Sequence, residues 1–135
     1  MDYNEIFNYW GGPGCPIDAT LELISRKWVI AIIRDMYTGK KHFSEFKENK
    51  PTLNNSVLSD TLKFMENKNL IEKRACNGDN RSNTEYILTP KAKKLNKIIY
   101  DLVLYGVDVL DCDTDLVDNF QEKCRVGYKE LLEIE

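Results

Sequence analysis

No apolar run in this chain of 135 residues reaches the ~18 residues that a membrane span requires. Its opening stretch, MDYNEIFNYWGGPGC, has neither a basic n-region nor an apolar h-region, so no secretory signal is expected. His42 is the only histidine, which rules out any site needing two histidine ligands. The cysteines, Cys15, Cys76, Cys112 and Cys124, lie far apart and form no C-x-x-C pair. GGPGC is rich in glycine but lacks the Gly-Lys that completes a phosphate loop. Carboxylates abound, yet none stand out as an acid and base pair. Asp111, Asp113, Asp115 and Glu122 imitate a calcium loop, but Leu116 occupies the place where the sharp turn needs glycine. These absences point to a cytoplasmic protein with reduced thiols and no membrane partner. They predict no enzyme activity, no cofactor and no metal site.

What the chain does have is a segregated charge. The overall net charge is −3, which argues against a nucleic-acid partner. Residues 26–97, however, hold 16 Lys or Arg against 8 Asp or Glu, while residues 101–135 hold 3 against 10. A basic middle followed by an acidic remainder fits a basic binding face on an otherwise acidic molecule.

The hydrophobic spacing predicts helices first. Pro16 opens one carrying Ile17, Leu21 and Ile24. KWVIAIIRDMYTG gives a second with Trp28, Val29, Ile32, Ile33 and Met36, stopped at Gly39. Ser44 is placed to cap a short helix around Phe46, which Pro51 bars from continuing. Asn54 is an N-cap for a helix whose apolar arc is Val57, Leu58, Thr61, Leu62, Phe64 and Met65. The period then changes to 2, predicting strands at Ile71–Ala75 and Thr84–Leu88, joined across CNGDNRSN. Thr89 and Pro90 start a further helix over residues 89–110. Its sequence IIYDLVLYGVDVL is apolar almost all round, so part of its cover is expected from a second subunit. Residues 115–135 repeat an amphipathic pattern, capped by Asp113 or Thr114.

The expected fold is α+β and mostly α: a winged helix-turn-helix domain with a two-stranded β-hairpin wing and extra N- and C-terminal helices. One domain is expected, with an N-terminal arm and first helix (1–25), the helix-turn-helix and wing (26–89) and dimerisation helices (90–135). The helix after Asn54 bears short amides and hydroxyls where a solvated face normally bears Glu and Lys pairs. A recognition helix offers its first turns to base edges in the major groove. Asn bonds adenine bidentately, Ser adapts to either edge, and Lys reaches guanine or phosphate. Asn55, Ser56, Ser59 and Lys63 fit those roles, and Lys73, Arg74 and Arg81 flank a wing able to approach the backbone. Asp60 faces the same way and repels phosphate unless it accepts from cytosine N4.

CPID, KWVIAIIRDMYTG, HFSEF, VLSDTLKFMENKNLI and TEYILTPKAKKL, in that order, resemble the HxlR-type winged-helix transcription regulators of bacteria and archaea, over residues 15–110. The resemblance implies a homodimer, joined through its terminal helices, that binds an inverted repeat in promoter double-stranded DNA. It places DNA contacts on residues 54–63, Asn54 included, and on the wing around Arg81. Ser25-Arg26 stands where the family commonly has glycine, which alters the bend between the first two helices. Some members sense oxidants or electrophiles through a cysteine in the CP position, here Cys15, sometimes bridged to a C-terminal cysteine of the other subunit. Cys112 and Cys124 are then the candidate partners.

Several readings compete. Cys15 precedes a helix start, where the dipole favours thiolate, or it is simply a small apolar filler. The domain is alternatively a winged-helix protein–protein interaction module without specific DNA binding, which Asp60 and Glu66 favour slightly. A thiol enzyme built on Cys15 lacks an evident base. Tyr100 and Tyr105 either fill the core or line a pocket for an unidentified small-molecule effector.

Overall fold

The computed structural model describes residues 2, 5, 15–75, 84–110 and 118–135. In chain order these form α1 (Pro16–Ile24), α2 (Val29–Tyr37), a 3-10 turn (Glu45–Lys47), α3 (Asn55–Asn67), β1 (Ile71–Ala75), β2 (Thr84–Leu88), α4 (Pro90–Lys93), α5 (Asn96–Asp108) and α6 (Phe120–Leu131). The strands pair antiparallel, Ile71 opposite Leu88 and Ala75 opposite Thr84. Helices thus dominate, with one hairpin, as the residue spacing predicts. Both strands have the expected bounds.

The core gathers where α2, the 3-10 turn, α3 and the base of the hairpin meet. Val29, Ile32, Ile33, Phe46, Leu58 and Met65 are fully buried there. Each such aliphatic or aromatic side chain contributes about 1.5–3 kcal/mol by leaving water. On α3, Leu58, Thr61, Leu62 and Met65 are buried, whereas Val57 and Phe64, at one edge of the predicted arc, are only partly covered. Thr61 is tolerated inside because its hydroxyl donates to the Val57 carbonyl at 2.8 Å.

Four local expectations need correction. Trp28 is not inside the second helix. It precedes α2 with φ 83°, and this left-handed residue makes the bend from α1. Ser44 stands ahead of the 3-10 turn but its side chain makes no capping bond. Glu45 does that work, its Oε1 accepting from the amides of Lys41 at 3.2 Å and His42 at 2.9 Å. The helix predicted over residues 89–110 is broken into α4 and α5. The physical reason is Asn96, whose Nδ2 donates to the distant Leu132 carbonyl at 2.9 Å while its Oδ1 accepts from the Lys97 amide at 2.8 Å. Buried Leu95 turns into the core beside it. Finally, α6 begins at Phe120, preceded by left-handed Asn119, and not near Asp115. The predicted caps Asp113 and Thr114 lie outside the described residues, as does most of the imitation calcium loop.

Among the described helices, α1 and α5 leave the most apolar surface uncovered. On α1, no residue is buried, and Ile17 and Leu21 are 58% and 48% exposed. On α5, Leu102 and Tyr105 are 51% and 58% exposed, and Val109 and Leu110 continue the patch beyond its end. Tyr100, in contrast, ties α5 to α6 by donating to the Arg125 carbonyl at 3.3 Å.

Asp35 and Lys50 are the buried charged residues among the described ones, and they face each other as an ion pair. Arg34 adds a second cation to Asp35 at 3.3 Å, and the Lys50 ammonium also donates to the Glu48 carbonyl at 3.4 Å. Breaking such a pair strands one charge away from water. Lys50→Ala is therefore expected to lower the urea-unfolding free energy by about 3 kcal/mol, whereas Asp35→Leu with Lys50→Met should remain within about 1 kcal/mol of the parent.

Candidate nucleic-acid interface

Asn54 adopts an extended backbone, φ −90° and ψ 168°, and its side chain accepts from the Val57 amide at 2.8 Å. That bond closes the first turn of α3 and spends the Asn54 carbonyl oxygen on the cap. Beyond it, Asn55, Ser56, Asp60, Lys63 and Glu66 are exposed and Ser59 is half-exposed, all on the side opposite the buried arc. The structure thus brings Asn55, Ser56, Ser59 and Lys63 onto one solvent-facing surface. Asn54 sits at its rim with a structural duty. Asn55 already has a partner, the Lys47 ammonium, which donates to its Oδ1 at 2.5 Å.

The wing is set against this helix by the segment before the 3-10 turn. The Tyr86 amide donates to the Lys41 carbonyl at 2.8 Å, His42 Nδ1 lies 3.1 Å from the Thr84 carbonyl oxygen, and Lys41 pairs with Glu85 at 3.2 Å. A carbonyl oxygen only accepts, so His42 carries its proton on Nδ1. The Tyr86 ring meets Phe46 edge-on, centroids 6.0 Å apart. Glu45, accepting first from the Lys41 amide and also from that of His42, is held below the usual carboxylate range. Its contribution to this junction is present above the ordinary carboxylate pKa and is lost as pH falls through the lowered one.

On β1, Lys73 and Arg74 are exposed, and Arg74 pairs loosely with Glu72 at 3.7 Å. Arg81 and Cys76 lie in the stretch outside the described residues. Cys15 precedes α1, is 7% exposed and makes no side-chain capping bond. Cys124 is half-buried on α6, and both are free thiols; Cys112 lies outside the described residues. Among the described residues no cluster of three His, Cys, Asp or Glu is disposed to hold a metal ion. No helix there is long and apolar enough to cross a membrane.

Contacts between distant segments were not visible in the spacing of residues. Arg26 lies over the Phe64 ring at 4.5 Å, Lys68 approaches it at 5.9 Å, and Lys68 reaches Glu22 at 3.5 Å. These cations link α1 and its junction to α3. Lys47 was missed for the same reason: its partner lies eight residues away on another element.

A helix, a tight turn, a polar-faced helix and a docked hairpin are the arrangement of a winged helix-turn-helix. The sequence model of the HxlR-like helix-turn-helix family matches residues 23–113. The chain belongs to that family. It is a transcriptional regulator of the helix-turn-helix type. Two curated relatives of this HxlR-like chain come from Bacillus subtilis (strain 168) and are helix-turn-helix transcriptional regulators. YvaP is 30% identical over 98 residues, covering 72% of this chain and 90% of that protein. YybR is 25% identical over 108 residues, covering 80% and 82%. Among solved structures, the redox regulator HypR in its reduced form superposes with a TM-score of 0.64 at 27% identity, covering 73% of this chain and 99% of that one.

The Asn54 cap offers a direct test of how α3 of this HxlR-like fold is held. Asn54→Ala should cost about 1 kcal/mol in urea unfolding, because one amide at the helix start loses its acceptor. Asn54→Asp should recover most of that loss.

Proposed function

We propose that this regulator acts as a cytoplasmic homodimer on an inverted-repeat promoter site, with Asn54, Asn55, Ser56, Ser59 and Lys63 at the base edges and adjoining phosphates. Lys73, Arg74 and Arg81 of the wing meet the backbone. The observation that carries this reading is the polar surface of α3, whose first two turns present amides and hydroxyls opposite the buried side chains of Leu58, Thr61, Leu62 and Met65. Phosphate is also welcome at the positive end of a helix. The uncovered apolar surfaces of α1 and α5 support a partner subunit contributed by a second copy. Two recognition helices about 34–36 Å apart, or a multiple of that, then meet successive major-groove faces.

A second reading concerns the signal. Cys15 directly precedes α1, a helix with no buried residue, and HypR, a redox regulator, shares the fold. In this reading oxidation of Cys15 repositions α1, and the Arg26–Phe64 and Lys68–Glu22 contacts carry that movement to α3. A partner thiol, Cys112 or Cys124 of the other copy, completes a disulfide as diamide takes up two electrons and two protons. A small-molecule effector in place of an oxidant has less support, since Tyr100 is engaged with α6 and Tyr105 is exposed.

Fluorescence anisotropy on the chain's own upstream DNA tests both readings. Binding should be selective against scrambled competitor and fall by about 10³–10⁵ between 50 and 200 mM salt if six to ten phosphates are neutralised. Lys73→Ala should lower the slope of log affinity against log salt by about one. Salt-insensitive binding, or none that is selective, would favour a protein-binding module instead. Diamide should release DNA from the parent and not from Cys15→Ser; an equal response would remove Cys15 as the sensor.

A further inference from the structure

Asn55 lies at the start of the exposed face of α3, and its amide is oriented by its partner. The Lys47 ammonium, on the 3-10 turn, donates to Asn55 Oδ1 at 2.5 Å. An ammonium has donors only, so the bond settles which way the amide points. The oxygen faces Lys47, and the NH2 group is left for whatever approaches.

An asparagine with both ends available reads adenine, its oxygen accepting from N6–H and its NH2 donating to N7. Asn55 instead offers N–H donors with a positive charge beside them. That combination matches the guanine edge, where N7 and O6 both accept, and it opposes the adenine amino group. We propose that Lys47 sets the base preference of Asn55, so that α3 reads guanine at a position where an unassisted asparagine reads adenine. The proposal rests on α3 being the DNA-reading helix and deepens that reading. Lys47 acts through Asn55 and is a positioning residue; its other N–H groups stay available for a phosphate.

Selection of bound duplexes from a random pool, followed by sequencing, tests this with the parent chain, Lys47→Met, Lys47→Arg and Asn55→Ala. Thermal melting of each variant checks that the fold is retained. The parent should enrich a guanine at one base pair per half-site, and Asn55→Ala should lose it. At that base pair Lys47→Met should turn the preference to adenine by about tenfold, while Lys47→Arg keeps guanine. If Lys47→Met weakens all four bases alike, Lys47 is a phosphate contact only and the proposal is overturned. Adenine at the Asn55-dependent position of the parent, or no such position, overturns it as well. In those cases selective DNA binding still stands. No enrichment by the parent overturns the proposal together with the DNA-reading role of α3.

Discussion

A buried ammonium facing a buried carboxylate holds the turn that leads into α3. Asp35 and Lys50 are both nearly inaccessible, and each has a further partner, Arg34 for the carboxylate and the Glu48 carbonyl for the ammonium. Apolar side chains of the same volume would fill that space about as stably, yet without fixing a direction. The Lys50 carbonyl accepts from the Leu53 amide at 3.1 Å, so the pair also sets the approach to Asn54 and its cap. Everything on the exposed face of α3 inherits its placement from this chain of contacts. Among the described residues no buried side-chain nitrogen or oxygen lacks a partner, so the polar interior is closed.

From this keystone the described residues divide into a densely connected head and more loosely attached surroundings. The head is the 3-10 turn, α3 and the hairpin, locked through Phe46, Tyr86 and the Lys41 backbone. Outside it, α1 packs Ile24 against the core, while the cation of Arg26 on the Phe64 ring and an exposed Lys68–Glu22 pair link the helix and its junction to α3. Such contacts are weak individually. With no residue of its own fully buried, α1 costs less to displace than the core helices, which suits the signal-carrying role proposed for it. Its apolar residues, like those of α5, gain most by finding cover on another surface.

The parts legible in the sequence are those governed by neighbours along the chain. The strands, the Asn54 cap, the Thr89 and Pro90 start and the Gly39 stop follow from local period and backbone preference. Gly39 does adopt φ 102°, and Thr89 does accept from the Ala92 amide at 3.2 Å. What could not be read depends on distant partners. Asn96 breaks a helix for a carbonyl 36 residues away. Asp35 and Lys50 look like ordinary surface charges until folding places them together. Trp28 turns left-handed although its neighbours continue an apolar pattern, because the bend from α1 falls there. In the candidate site, the residues on α3 and β1 were legible by face and chemistry, while the orientation of Asn55 by Lys47 was not.

The central claim is that the exposed face of α3 touches DNA. Photocrosslinking tests it most directly: p-benzoylphenylalanine placed at Ser56, and separately at Val126 on α6, with the protein bound to its upstream duplex. The account predicts a DNA adduct from position 56 and none from position 126. A position 56 that crosslinks only to protein, or a DNA adduct from position 126 alone, would contradict it.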